Sequence, residues 1–352
     1  MSRSKARISG ARRPAALRLL VTASLALLVL TIGDGWSAAR AQGPALWIAS
    51  PEQTGVTGAT GGIIEVRPLQ LLKSGVPKRI KIKDAFGPLA NSAGIAFQPN
   101  GALWVTTLNN TVLKFTPAQL SNLSVVPHPK PKVKITSSSF GFNIGCAFDS
   151  HVNLWIVDSL NDAIHEISHA QLAAGTADVT PAVTITDTTD LTSPSFAAFD
   201  AAGNIWISSL SNSKLVEFSA SQLANSGSPI PNVVISSTSL NEPGEIAFDA
   251  SGNLWVTNAG NDTVVEFTAA QITVTGSPAA TVILSDDGSG SLSTPWGLQF
   301  DSTHRLWVSN YATGTLSKFA PGQLSVTGSP TPRIFLTKLP LFAAQITFGP
   351  RY

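Results

Sequence analysis

The chain has 352 residues, 43% of them hydrophobic and 12% charged, about half the ~25% charge usual in globular proteins. Its formal charge of +2 is carried by the first 41 residues; leaving out their seven basic residues and Asp34 leaves 16 basic against 20 acidic, a net −4. That balance excludes a nucleic-acid binder, which needs a basic footprint, and a single cysteine, Cys146, excludes any intramolecular disulfide.

Residues 1–41 read as a secretory signal peptide. Six basic residues lie between Arg3 and Arg18, an apolar run of 14 fills positions 19–32, and Ala39-Arg40-Ala41 supplies a small-x-small cleavage site. The run is short of the ~20 residues that span a bilayer as a helix. Arg12-Arg13 opens a twin-arginine reading that Pro14-Ala15-Ala16 does not support. The expected product is a secreted or periplasmic chain beginning at residue 42, with no membrane segment after cleavage.

From there the chain reads as short strands. Segments 45–49, 62–67 and 79–83 are the first three, with Trp47 in the first of them. A unit then recurs, clearest at 244–258: an apolar run into Phe248-Asp249, a turn through Gly252-Asn253, and the alternating Leu254-Trp255-Val256-Thr257-Asn258. Asp can accept bonds from its own turn, and Gly takes the positive φ that closes it. A third strand (263–267), a Gln-Ile step at Gln271 and a Gly/Ser/Pro-rich connector lead to a fourth strand near 280–283. Six of the eight Trp residues, 47, 104, 155, 206, 255 and 307, are spaced by 57, 51, 51, 49 and 52 residues.

Six units of four antiparallel strands predict an all-β fold, a six-bladed β-propeller over residues 42–352. The first unit lacks its innermost strand; 345–349, with Phe348 in the slot of Phe248, supplies it and closes the ring. Each repeat Trp is expected between neighbouring blades, and Cys146 as a small buried hydrophobe on an innermost strand. Three units depart from the pattern: Gln98 replaces the turn Asp, and Val152 and His304 replace the turn Gly. A β-branched residue is a poor choice for positive φ, so those two turns are expected to differ.

The pattern Gly-x-Ala-Phe-Asp-x-x-Gly-Asn-Leu-Trp-Val-x-Asn resembles NHL-type repeats, and it is similar to the repeats of streptogramin B lyase-like and gluconolactonase-like propellers. The resemblance implies a site at one mouth of the central channel. It also implies metal ligands or a catalytic His in or beside the column four residues before the repeat Phe. Here that column reads Ala93, Ile144, Ser195, Gly244, Trp296 and Ala344, with no acid, base or good metal ligand.

Nearby oxygens give an alternative set. Glu245, Asn143 and Asp158 could together offer a divalent cation, calcium or magnesium, part of its shell. The competing reading has Asp158, Asn258 and Asn310 bonding turn backbone. The five histidines are not spaced to converge on the mouth, so no catalytic residue is assigned. What the mouth offers is aromatic: Trp296, Tyr311, Phe142 and Phe196, with Phe140 and Phe342, beside Asn143 and Glu245. The expected function is a monomeric, cofactor-free binding scaffold for a small molecule, glycan or peptide. The alternative is a metal-dependent hydrolase or lyase.

Overall fold

The computed structural model describes residues 44–51, 62–77, 79–83, 89, 91–123, 129–339 and 344–350. The signal peptide and Phe342 lie outside the described residues.

Six sheets form six blades. Blade 1 comprises Ala45–Ser50, Gly62–Val66 and Arg79–Lys83, with Ile346–Gly349 as its innermost strand. Blades 2 to 6 begin with the innermost strands Ser92–Phe97, Asn143–Phe148, Pro194–Phe199, Pro243–Phe248 and Pro295–Phe300. Their Trp strands follow, Leu103–Thr107, Leu154–Asp158, Ile205–Ser209, Leu254–Asn258 and Leu306–Asn310, with two further antiparallel strands outside each.

Side chains alternate between the two faces of a strand, so each blade presents apolar residues to both neighbours. The result is six apolar clusters, one at each seam. Each repeat Trp is buried in such a seam, as expected. Trp155, Trp206, Trp255 and Trp307 each meet the innermost Phe of the following blade edge-on, at 6.1–6.4 Å between ring centroids. That is a favourable aromatic geometry.

The ring is closed twice. Leu46, Trp47 and Ile48 pair with Phe348, Thr347 and Ile346. Outside, the Gly75 N–H donates to Phe335 O (2.9 Å) and the Thr337 N–H to Gly75 O (3.0 Å). The second latch is one of a series: Ala177, Gly227, Gly276 and Gly328 each pair in parallel with the outer strand of the preceding blade. The Gln column serves this series. In blades 2 to 6 the Gln Oε1 accepts the N–H three residues back, and its Nε2 donates to a connector carbonyl at 2.6–2.8 Å.

The expected difference at Val152 and His304 is not found. Both adopt the positive φ of their glycine counterparts, 65° and 58° against 84° at Gly203 and 79° at Gly252. All four turns close with the same N–H bond back to the Asp carbonyl, at 2.9–3.1 Å. The carboxylate explains it: Asp149 Oδ1 accepts the N–H of His151 (2.9 Å) and of Asn153 (2.8 Å), and Asp301 Oδ1 those of Thr303 and Arg305. Three hydrogen bonds to one aspartate in each turn outweigh the left-handed penalty of ~1–2 kcal/mol. Val152→Gly should therefore raise stability by about 0.5–1 kcal/mol, once glycine's extra unfolded-state entropy is allowed for. Gly252→Val should lower it, and paired denaturant titrations read both.

Candidate functional site

Two loop types share the upper face: those leading into the innermost strands, and those joining the second and third strands. Trp296 and Tyr311, one from each type in blade 6, meet at 5.7 Å between centroids. Phe196 of blade 4 reaches Trp296 edge-on at 6.0 Å and is fully buried. Phe142 is 39% exposed on that face, whereas Phe140 packs against His165.

Asp158, Asn258 and Asn310 bond backbone. Asp158 accepts the N–H groups of Gly141 (2.7 Å) and Phe142 (2.8 Å), and its side chain also meets Asn161 Nδ2 and His165 Nε2. Asn258 and Asn310 do the equivalent work for Asn241 and Ser293. Burial opposes ionisation of Asp158, but the bonds from His165, Phe142, Gly141 and Asn161 outweigh it and hold the carboxyl down at about 2. The His165–Asp158 contact was not legible beforehand. His165 is 2% exposed and its Nδ1 meets Thr184 Oγ1 at 3.0 Å, so the pair faces the blade interior rather than the channel. Asn143 is fully buried, and neither amide atom has a hydrogen-bond partner among the described residues.

The side chains that meet on the axis come from the position after the expected column. A β-bulge in each of blades 2 to 6 shifts the register there and re-aims the side chains that follow. In that layer blades 4, 5 and 1 carry Phe196, Glu245 and Gln345, while blades 2, 3 and 6 carry glycine. The glycines are required by close approach: a Cβ at Gly145 would strike Ser195 O and Phe196, and one at Gly297 would strike Ala344 O and Ser309 Oγ. Glu245 Oε2 accepts the Leu298 N–H of blade 6 at 2.7 Å and the Ile346 N–H of blade 1 at 3.4 Å. Gln345 Oε1 accepts the Ile95 N–H of blade 2 at 2.7 Å. One carboxyl and one amide thus tie four blades together at the axis.

Below this layer, toward the turns joining first and second strands, the channel holds a cavity of about 360 Å³ touched by all six blades. Ala96, Ala147, Ala198 and Ala247 give it room, and Gln299, Thr347, Gln345 and Glu245 give it polarity. Burial pushes the Glu245 carboxyl up to about 8 from its ordinary 4.5, against the bonds from Leu298, Gln345 and Ile346. The Cys146 thiol, in the same wall, is pushed up to about 12, chiefly by burial.

A raised carboxyl favours the folded state while it is protonated. That contribution is whole below about 4.5 and is lost as pH rises through about 8. Asp158 acts in the opposite sense, losing its contribution as pH falls from 3.8 through about 2. The melting temperature should therefore decline between pH 5 and pH 9, and Glu245→Gln should flatten the profile over that window. A wild-type profile already flat there would contradict a neutral Glu245.

As a set, Glu245, Asn143 and Asp158 do not fit one divalent cation. The oxygens of Asp158 are taken by its loop and by His165, and Glu245 Oε2 is committed to backbone N–H groups of two other blades. Among the described residues no three His, Cys, Asp or Glu side chains are grouped to share a metal ion.

No protein-family profile and no curated protein sequence matches the chain. Solved structures do match its fold. A protein of unknown function from Bacteroides caccae aligns at a TM-score of 0.56 and 11% identity, covering 87% of this chain and 99% of that one. A catalytically inactive virginiamycin B lyase from Staphylococcus aureus, solved with quinupristin, aligns at 0.54 and 11%, covering 88% and 85%. At such identities the likeness is one of fold alone, a β-propeller, which in this chain has six blades.

Proposed function

We propose that the protein is an exported binding propeller that seats a small, neutral, hydrogen-bonding ligand or chain end in the axial cavity. The carrying observation is Glu245, the one carboxyl among the described residues that line that cavity. It is buried, its Oε2 accepts the Leu298 and Ile346 N–H groups, and burial pushes it up to about 8, so this reading takes it as a neutral acid. A neutral acid beside Gln345, Gln299 and Thr347 offers donors and acceptors but no base to activate water. Trp296 and Tyr311 add an aromatic ledge on the other side of the Phe196 plug, and the export signal is the leader ending at Ala41.

The test uses the mature chain, residues 42–352. Incubation with quinupristin and with simple lactones, with and without Mg²⁺ or Ca²⁺, should give no turnover. A fragment screen by ligand-observed NMR should give hits that Ala147→Phe, which fills the cavity, removes. Turnover that disappears in Glu245→Gln would establish a hydrolase or lyase instead. Mass spectrometry of the protein exported by a bacterial host checks the cleavage after Ala41.

A further inference from the structure

The formal charge of residues 42–352 is divided unevenly around the ring. Residues 42–136, blades 1 and 2, hold ten basic and three acidic residues, a net +7. Residues 137–285, blades 3 to 5, hold one basic residue, Lys214, and fourteen acidic ones, a net −13. Residues 286–352 hold five basic and three acidic, which completes the total of −4. The seams set the blades in chain order around the axis, so blades 4 and 5 stand opposite blades 1 and 2. The propeller is therefore basic at one edge and acidic at the other, a field that orients it toward charged surfaces.

The basic edge is built by register. Ile80 of blade 1 and Val133 of blade 2 both pair with the residue that faces the repeat Trp, so Arg79 and Lys81 hold the positions of Lys132 and Lys134. In blades 3 to 5 those positions carry Ala182 and Thr184, Asn232 and Val234, and Thr281 and Ile283. Lys73, Lys130, Lys132 and Lys134 are exposed, and none of the four is in an ion pair among the described residues. Apolar side chains accompany them. Leu69 and Val76, both 57% exposed, and Leu72, at 48%, stand on the connector between the third and fourth strands of blade 1. Lys130 is on the corresponding connector of blade 2, so the two groups share one rim. Leu69, Lys73 and Val76 also line a groove of about 320 Å³ with Leu336 of blade 6. The connectors of blades 4, 5 and 6 expose Ile230, Val274 and Val326 singly; among the described residues only blade 1 groups three.

Three kinds of partner would meet such an edge. A second copy could set its acidic edge against it, but that contact is head-to-tail and leaves both ends open, the geometry of a filament rather than of a closed pair. A soluble polyanion would satisfy the lysines and leave Leu69, Leu72 and Val76 in water. A bilayer with anionic headgroups takes both. Its negative potential attracts the lysines, and leucine and valine enter the boundary between headgroups and acyl chains. The acidic blades are repelled by the same potential, which fixes an edge-on approach. We infer that blades 1 and 2 form a docking edge for an anionic lipid bilayer, with Lys130, Lys132, Lys134, Leu69 and Leu72 toward the lipid and blades 3 to 5 directed away from it.

The experiment is vesicle flotation of residues 42–352, which lack the apolar run that could insert by itself. The vesicles are phosphatidylcholine alone and phosphatidylcholine mixed with phosphatidylglycerol. The chain should float with the mixed vesicles and not with phosphatidylcholine, and the bound fraction should fall as salt is raised. Lys130→Gln, Lys132→Gln and Lys134→Gln together should weaken partitioning roughly a hundredfold, at about fivefold for each lysine. Leu69→Asn with Leu72→Asn should weaken it roughly tenfold. Lys214→Gln, on the acidic side, should leave it unchanged, and unaltered melting temperatures show that the variants are folded. Soluble polyphosphate binding and analytical ultracentrifugation cover the competing partners. The inference is overturned if the mixed vesicles do not bind, if phosphatidylcholine binds equally, or if the lysine variant binds as the wild type does. It is also overturned if polyphosphate binds the lysines while the leucine variant keeps full vesicle binding, or if the chain self-associates through the same lysines instead.

Discussion

Replacing Trp255 by alanine should lower the unfolding free energy by about 3–5 kcal/mol, the cost of a large-to-small change in a close-packed core. Trp255 is 2% exposed and shares its seam with Leu298, Leu306, Val308 and Phe319 of blade 6. Its ring meets Phe300 at 6.1 Å, and its N–H donates to Asp249. The alanine variant loses the contact between two blades and one donor to the turn at once, whereas Trp255→Phe should keep much of the packing. Urea titration of the three proteins reads the difference. A Trp255→Ala protein within about 1 kcal/mol of wild type would mean that the seams are not what holds adjacent blades together.

A chain stopped at Leu341 should not survive as a cooperatively folded monomer. It loses the innermost strand of blade 1, including buried Ile346, and with it the pairing of Ile346–Gly349 to Ala45–Ile48. It also loses Gln345, whose Oε1 holds Ile95 N–H, and the Ile346 N–H that Glu245 accepts. The outer latch through Gly75 is retained, so the expected product is a loosened ring with an open inner edge that self-associates. The loss should approach the whole stability of an ordinary domain, ~5–15 kcal/mol. Size-exclusion chromatography and calorimetry test it, and a synthetic peptide of residues 342–352 should restore the melting transition. A truncated chain that is monomeric with an unchanged transition would show that the outer latch alone closes the ring.

How much was legible follows from what each feature depends on. The blades were, because the Phe-Asp, Gly-Asn and Trp positions act within one hairpin: Asp249 bonds Ser251, Asn253 and Trp255, all within six residues. The split first blade was legible for the same reason, since Phe348 has the neighbours a repeat Phe has. The turns at Val152 and His304 were misjudged because residue preference was weighed alone, without the carboxylate that anchors the backbone around it. The roles of Asp158, Asn258 and Asn310 as backbone acceptors were read correctly from the habits of Asx side chains.

What only the tertiary structure decided lies where chains distant in sequence converge. Glu245 was a candidate because of its place beside a column; its partners, Leu298 and Ile346, stand 53 and 101 residues away. A bulge that moves the pointing direction by one residue changes which side chains reach the axis, and no local preference encodes it. The same holds for the burial that raises the Glu245 carboxyl and for the unpartnered amide of Asn143. The sequence by itself determined the repeat, the number of blades and the means of closure, because these rest on contacts within a hairpin and on periodicity. Burial, and with it the charge state and the unmet hydrogen-bonding capacity of particular groups, was decided only once six blades closed around one axis.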